Sequence, residues 1–364
     1  MTGLLTQTES VRRRGPSVKI LLGTALDLIG DLPDESVHCV VTSPPYFGLR
    51  NYGIPPSVWK PVRYSPMAGL PEMPVPVHAD PESFPSCSHE FYGNPHKPVD
   101  GNFCRKCGSW SGCLGNEPTP ELFVGHIVQV FREVRRVLRS DGTLWLNMGD
   151  SYVTSGGPNK KYPFMSVNPK SVSVVRLPEK NLLMIPSRVA MALQSDGWIL
   201  RSDIIWHKPN PMPGSYKDRC TSAHEYVYMF AKRERYFFNS EAIAEPASFS
   251  TEERKSRSSE NTKRFAENRV NRIHRRRGHE RLHNGFNGKW DRMTKAEQCS
   301  GTRNKRDVWT IATRPFHEAH YATFPEELPR QAILAGTAAN VCSECGAPRN
   351  TGAGIQEPLF LRVL

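Results

Sequence analysis

The hydrophobic pattern at the start of the chain predicts a strand, a helix and a second strand. Apolar residues run through 18–22, recur at helical spacing within 24–32, and run again through 37–42. Short apolar runs rich in β-branched residues are typical of buried strands. The second run stops at Pro44-Pro45, because proline has no N–H and cannot continue a strand. This β-α-β order is the pattern of a parallel-sheet domain.

Residues 120–139 carry the clearest helical pattern, with apolar side chains every three or four positions. Thr119 is suited to cap the first turn, and several arginines lie near the end, where cations suit the helix dipole. Strand and helix patterns also alternate along the rest of the chain. We expect strands at 143–148, 198–206, 224–230 and 236–239, the last two antiparallel, and helices at 186–195 and 326–335. The alternation predicts an α/β fold with a doubly wound, mostly parallel sheet.

Residues 47–119 differ from this pattern, because they are rich in proline and lack periodicity. So long an irregular segment is uncommon in a compact domain unless it is functional or held together. The segment contains ligands of the type and number that structural zinc takes, namely Cys87, His89, Cys104 and Cys107. We therefore expect a zinc-held loop, with Cys113 as an alternative to His89.

The charge of the chain is concentrated in one segment. Residues 251–306 hold 17 Lys or Arg and 7 Asp or Glu, a net +10 of the total +12. Such a block points to an acidic polymer as partner, and a solvated loop is the alternative. The basic residues expected to contact that polymer are Arg275, Arg276, Arg277, Lys305 and Arg306.

No apolar run in the sequence is long enough to span a membrane, and the N-terminus lacks the core of a signal peptide. We therefore expect a cytoplasmic protein.

The corner that follows the strand at 37–42 carries groups suited to one particular chemistry. Open α/β sheets place their sites just outside the carboxyl ends of strands. A nucleobase amine is a poor nucleophile, because its lone pair is delocalised into the ring. Two acceptors that hold its N–H groups free that lone pair for attack on a methyl donor. Ser43 Oγ and the Pro44 carbonyl are such acceptors, and Pro45 keeps that carbonyl out of a turn. Tyr46 supplies a ring on which a flipped base can stack.

Residues 41–46, Val-Thr-Ser-Pro-Pro-Tyr, resemble the catalytic signature of the amino-group DNA methyltransferases. The Thr-Ser-Pro-Pro-Tyr form is most typical of cytosine-N4 enzymes, whereas adenine-N6 enzymes more often carry Asp in place of Ser43. Further segments resemble the same family in the same order, and together they cover roughly residues 18–337. They are residues 117–120, 131–138, 145–152, 205–210, 307–310 and 320–325.

The order of these segments resembles the family's permuted, β-type arrangement, with the catalytic segment first and the S-adenosylmethionine side last. The resemblance implies a permuted, Rossmann-like methyltransferase domain at 18–247, a basic target-recognition region at 248–306 and a return to the cofactor side at 307–337. A loose tail at 1–17 and a Cys-pair segment at 338–364 flank them.

The resemblance also implies roles for single residues and for partners. Trp206 resembles the aromatic residue that lies near the flipped base, and a core tryptophan at a strand end is the alternative. Phe324 and Pro325 resemble the segment that packs on the cofactor, and a turn before a helix is the alternative. Thr24 stands where the family commonly has an Asp that meets the cofactor's adenosine. The implied partners are double-stranded DNA with one base flipped out and a cognate restriction nuclease, in a bacterial or phage context.

One expected motif is missing from the sequence. The family's glycine-rich cofactor turn does not follow Thr337, and a Cys342–Cys345 pair with no second pair stands there instead. We therefore expect an interruption near Arg349 and weak cofactor binding.

Several functions remain open on these grounds. A cytosine-N4 enzyme, an adenine-N6 enzyme and a catalytically impaired DNA-binding relative all fit, and an RNA or protein methyltransferase fits less well. A C5-cytosine enzyme would need a catalytic Pro-Cys, and the sequence contains no such dipeptide.

Overall fold

The structure, a computed structural model, describes residues 20–49, 54–75, 103–104, 106–153, 177–246, 302–314 and 324–338 with their side chains. Near the C-terminus it describes only the backbone of four short strands. The chain divides into two compact units, one of Met1–Phe238 with Asp307–Leu364 and the other of Asn239–Arg306. Within the described residues, no helix has the length and apolar character needed to cross a membrane.

The described part of the chain contains four helices and fifteen strands. The helices are α1 (Ala25–Gly30), α2 (Pro120–Val137), α3 (Ile185–Ser195) and α4 (Glu327–Gly336). The strands are β1 (Val37–Thr42), β2 (Ser57–Trp59), β3 (Val62–Tyr64), β4 (Met73–Val75), β5 (Trp110–Gly112), β6 (Leu138–Met148), β7 (Ile199–His207), β8 (His224–Ala231), β9 (Glu245–Pro246), β10 (Thr302–Arg303), β11 (Val308–Thr310), β12 (Asn340–Cys342), β13 (Pro348–Arg349), β14 (Ile355–Gln356) and β15 (Phe360–Val363).

Six of these strands form the central sheet, in the order β11-β7-β8-β6-β1-β15. The neighbours β15, β1 and β6 are parallel, and so are β7 and β11. Strand β8 runs antiparallel to both β6 and β7. The predicted α/β class is therefore confirmed, with a mixed sheet in which β8 alone is reversed.

Helices cover both faces of this sheet. Successive strand residues point to opposite faces. Leu144 belongs to a core that includes Phe123 and Ile127 of α2. Its neighbour Thr143 faces α4, where a Cβ added to Gly336 would lie 2.5 Å from the Thr143 hydroxyl oxygen. Glycine at this position therefore allows α4 to lie directly on the sheet.

The second unit has two described strands. β9 pairs antiparallel with β10, so the described ends of this unit are joined to each other. Arg303 and Arg306 both contact the Glu245 carboxylate, and these contacts lower the pKa of Glu245, the largest cause being the Arg306 backbone N–H.

Two predicted strands are wrong. Of the strand expected at 18–22, residues 20–22 are described; they form no strand, and Leu22 is 90% exposed. These residues pair with no described strand, so their backbone N–H and C=O groups form no hydrogen bonds with a described strand of the sheet. The strand expected at 236–239 is also absent, because β6 and β7 already occupy both edges of β8. Phe238 instead stacks on Trp145, with ring centroids 6.5 Å apart.

Part of the segment predicted to be irregular, residues 47–119, forms short antiparallel pairs. β2 pairs with β5, and β3 pairs with β4. Val62 and Val75 are buried in the same core as α2, and the Tyr64 hydroxyl donates to the backbone carbonyl of Glu121 at 3.1 Å. The described strands of this segment thus form a layer packed on α2.

We expect Glu121→Gln to stabilise the protein at pH 7. Burial raises the pKa of the Glu121 carboxyl, against the favourable charge of Arg188, whose Nη1 lies 3.5 Å away. A carboxyl whose pKa is higher in the folded than in the unfolded protein is disfavoured by folding when it is ionised. The ionised Glu121 therefore lowers the free energy of unfolding at neutral pH. This loss disappears below about pH 4, where the carboxyl is protonated in both states. Urea denaturation should show a gain of about 1 kcal/mol at pH 7 and a smaller one near pH 4. Exposed Glu241→Gln is the control, and a destabilised Glu121→Gln at pH 7 would contradict the argument.

Candidate active site

The Ser43–Tyr46 corner lies at the carboxyl edge of the sheet, between the ends of two parallel neighbours. Thr42, the last residue of β1, pairs with Val363 of β15 on one side and with Leu146 of β6 on the other. Pro44 is buried, whereas Ser43, Pro45 and Tyr46 are half-buried. The corner therefore stands where ligands of open α/β sheets bind.

The Tyr46 hydroxyl is the centre of a hydrogen-bond network. It donates to Glu225 Oε2 at 2.6 Å, and Asn147 Oδ1 lies 3.1 Å from it. Ser43 Oγ donates to the Tyr46 hydroxyl at 3.3 Å. Asn147 Nδ2 donates to Glu225 Oε2 and to the Tyr226 carbonyl, each at 3.1 Å. Three neighbouring strands, β1, β6 and β8, thus contribute to one polar cluster.

Lys208 extends this cluster towards Trp206. Its Nζ forms an ion pair with Glu225 Oε1 and lies 4.4 Å above the centroid of the Trp206 ring. Trp206 is only 3% exposed, and its Nε1 donates to the Ile311 carbonyl at 2.9 Å. A cation over an indole ring is a favourable contact. The proposed base-pocket residue is therefore connected to Tyr46 by three successive contacts, through Lys208 and Glu225.

Sequence reasoning assigned no role to Asn147, Lys208 or Glu225. A signal for them was present, because each is a polar residue at or next to the end of an apolar strand on the catalytic edge. Polar groups in such places, beside otherwise buried strands, are often functional. The connection to Tyr46 was not readable, since Glu225 lies 179 positions further along the chain.

The buried pair Glu117 and His126 contacts Gly115, which packs against the Ser43–Tyr46 corner. Gly115 has a φ of +93° and packs so closely that an added Cβ would lie 3.0 Å from the Tyr46 carbonyl oxygen. Its N–H donates to Glu117 Oε2 at 2.7 Å, and its carbonyl accepts the Gly48 N–H at 2.8 Å. Glu117 Oε1 in turn lies 2.9 Å from His126 Nδ1, and both side chains are fully buried.

The residues predicted for the cofactor lie at separate places. Thr24 caps α1, because its hydroxyl accepts the Asp27 N–H at 3.3 Å. Phe324 and Pro325 are buried immediately before α4. At the carboxyl edge of the sheet, β15 ends beside Ser43, and Asp150 follows the end of β6. The Asp150 carboxylate accepts the N–H groups of Ser151 and Ile185, and burial raises its pKa.

The zinc and DNA residues are only partly described. Cys104 and Cys107 are buried in a tight turn, in which the Cys104 N–H donates to the Ser109 carbonyl at 2.7 Å. Cys87 and His89 lie outside the described residues, and the described ones contain no cluster of three metal ligands. Arg275, Arg276 and Arg277 also lie outside the described residues. Lys305 is half-buried and Arg306 exposed.

Comparison with known proteins identifies the family. A family model described as DNA methylase, of the N6 and N4 type, matches residues 37–341. The type II methyltransferase M.XycI of Xanthomonas campestris pv. cyanopsidis is 34% identical over 320 residues, which are 86% of this chain and 71% of the relative. M.Cfr9I of Citrobacter freundii is 33% identical over the same shares.

Among solved structures, the cytosine-N4-specific PvuII DNA methyltransferase aligns with a TM-score of 0.42 and 15% identity, over 88% of this chain and 70% of that one. The family model spans most of the chain, and the sequence relatives are similar over most of their own length. The chain belongs to the DNA methylase family of N6 and N4 amino-group methyltransferases.

Proposed function

We propose that this protein transfers a methyl group from S-adenosylmethionine to the exocyclic N4 of cytosine in double-stranded DNA. The observation that carries the proposal is the corner itself, in which Ser43 and the Pro44 carbonyl stand at the sheet edge beside the anchored ring of Tyr46. Serine at position 43, within Thr-Ser-Pro-Pro-Tyr, favours cytosine over adenine by resemblance. Adenine-N6 transfer is the alternative.

The proposed chemistry requires an extruded base whose amine meets both acceptors. One amine N–H donates to Ser43 Oγ and the other to the Pro44 carbonyl, which together draw the lone pair out of conjugation. Tyr46 stacks on the base, and Trp206 borders the pocket. The half-buried setting of Ser43 strengthens both hydrogen bonds, because little water competes with them.

S-adenosylmethionine, when bound, supplies the methyl group. The architecture of the catalytic edge is compatible with it, because β15 and β1 end side by side next to Ser43. We propose that Phe324 and Pro325 hold it from the α4 side, and Thr24 from the start of α1. Calorimetry with S-adenosylmethionine tests this part separately, and no binding at millimolar ligand would favour the impaired DNA-binding relative instead.

The partner we propose is DNA, which the basic region at 248–306 would bind. A cognate restriction nuclease would act at the same DNA sequence. Arg275, Arg276, Arg277, Lys305 and Arg306 would neutralise phosphates, which makes binding dependent on salt. Base readout would come from other contacts.

The direct test is methyl transfer from labelled S-adenosylmethionine to DNA, followed by nucleoside analysis. We expect N4-methylcytosine. N6-methyladenine would support the alternative, and transfer to RNA or protein alone would overturn the proposal.

We also propose a structural zinc ion held by Cys87, His89, Cys104 and Cys107. The buried Cys104–Cys107 turn supports it, since thiols in such pairs are zinc ligands in reducing compartments. The alternative ligand Cys113 fits less well. Its thiol donates to the Ile54 carbonyl at 3.4 Å, and burial and Glu117 raise its pKa, whereas a ligand must be a thiolate.

Cys104→Ser should therefore lose about one zinc per chain, measured by elemental analysis, and should unfold at a lower temperature. Exposed Cys220→Ser is the matched control and should keep its metal. A wild-type protein purified without zinc, yet equally stable with and without added chelator, would contradict the zinc site.

A further inference from the structure

We propose that Glu225 is the final proton acceptor of the reaction, reached from the base amine through the hydroxyls of Ser43 and Tyr46. The inference rests on the proposed amino-group methyl transfer, but it does not depend on whether cytosine or adenine is the target.

The hydrogen bonds run in one direction. Ser43 Oγ donates to the Tyr46 hydroxyl, which donates to Glu225 Oε2. Because Ser43 gives its own hydrogen to Tyr46, the lone pairs of Oγ stay available to the amine. The Tyr46–Glu225 bond is short at 2.6 Å, whereas the Ser43–Tyr46 distance of 3.3 Å is long for two hydroxyls. Catalytic hydrogen bonds are commonly loose before substrate binds and tighten afterwards.

The surroundings of Glu225 suit a proton acceptor better than a simple anchor. Lys208 pairs with Oε1, and Oε2 accepts from the Tyr46 hydroxyl and from Asn147 Nδ2. An anchor for Tyr46 could be a neutral amide or a backbone carbonyl. The Glu225 side chain is 18% exposed, which gives an accepted proton a way to water.

The amine lone pair forms the new N–C bond while the donor's S–C bond breaks, its electron pair staying on sulphur. The nitrogen is then cationic and loses one proton to Ser43 Oγ, and the N–H bond pair returns to nitrogen. The Ser43 proton moves to the Tyr46 oxygen, and the Tyr46 proton moves to Glu225 Oε2. Both hydroxyls are regenerated, Glu225 becomes a neutral acid, and water later takes its proton.

The test uses Glu225→Gln, which keeps an acceptor oxygen for Tyr46 but cannot take a proton. We expect the single-turnover methylation rate to fall about 100-fold. DNA affinity, measured by fluorescence anisotropy, should change less than about twofold, a factor that corresponds to under 1 kcal/mol. The matched control is Glu234→Gln, an exposed carboxylate just beyond the other end of β8, which should behave as wild type.

Three further variants separate proton transfer from positioning. Tyr46→Phe interrupts the relay but keeps the ring, and the double variant with Glu225→Gln should be no slower than the slower single one, because residues that act as a unit are not additive. Formate should restore part of the rate of Glu225→Ala, as a small base in the vacated space. A purely structural role would not produce that rescue.

The outcomes are distinct. A wild-type chain that methylates no nucleic acid would overturn the proposed function, and the relay with it. An active wild type whose Glu225→Gln variant is equally fast would overturn the relay alone. So would a slow Glu225→Gln variant with additive loss in the double variant and no rescue of Glu225→Ala by formate.

Discussion

Ser43→Ala is expected to lower the single-turnover rate of methyl transfer by roughly 10²- to 10³-fold, the usual cost of removing one fixed hydrogen-bonding group from a reacting centre. The alanine methyl group cannot accept the amine N–H, and it also removes the first member of the Ser43–Tyr46–Glu225 chain. The fold should be unaffected, because Ser43 is half-buried and lies outside β1. Rapid-quench measurements with labelled methyl donor give the rate directly.

Ser36→Ala is the control for this experiment. Ser36 lies just before β1, and its hydroxyl donates to the Pro33 carbonyl at 2.7 Å, away from the corner. DNA affinity should be the same for both variants and the wild type. A Ser43→Ala enzyme with an unchanged rate would refute the acceptor role, and one that lost DNA binding equally would assign Ser43 to recognition instead.

His126→Ala is expected to destabilise the protein by about 3 kcal/mol. His126 is fully buried and stacks with Trp59 and Trp110 at centroid distances of 4.7 and 5.5 Å. Its removal leaves a cavity between these rings and takes away the hydrogen-bond partner of Glu117 Oε1. Urea denaturation monitored by tryptophan fluorescence measures the loss.

The same variant should also slow methyl transfer in the fraction that remains folded, because Glu117 holds the Gly115 N–H behind the corner. His224→Ala serves as the control, since His224 is exposed at the start of β8. Equal stability of His126→Ala and wild type would show that the buried pair does not support the fold.

The sequence predicted the elements whose causes are local. Pro44-Pro45 ends β1, and Thr119 caps α2 with its hydroxyl on the Leu122 N–H. The chemistry that we propose for the corner rests on the same local features, because a proline pair after a buried strand leaves few conformations open. The family resemblance, read from short motifs, agrees with the match over residues 37–341.

The parts that failed depend on neighbours distant in sequence. The apolar residues at 20–22 and 236–239 have strand character, but a strand forms only where a sheet edge is available. The strand expected at 143–148 begins earlier, at Leu138, because β6 already pairs with β1 there, through Val37. Likewise, no residue near Tyr46 in the sequence predicts that Glu225 and Lys208 belong to the same hydrogen-bond network.

The direction of strand β8 fixes where the segment between β7 and β8 lies. Because it begins where β7 ends, the connecting residues 208–223 leave and re-enter the sheet on the edge that carries the corner. The Lys208–Glu225 ion pair joins the first residue of this connection to the start of β8. Between these two ends, Asn210 Nδ2 donates to the Thr313 carbonyl at 3.1 Å, and the Arg219 guanidinium lies 4.0 Å from the centroid of the Tyr152 ring. The segment therefore lies on the edge where we propose that the reaction takes place, and it is held there by contacts with other parts of the chain.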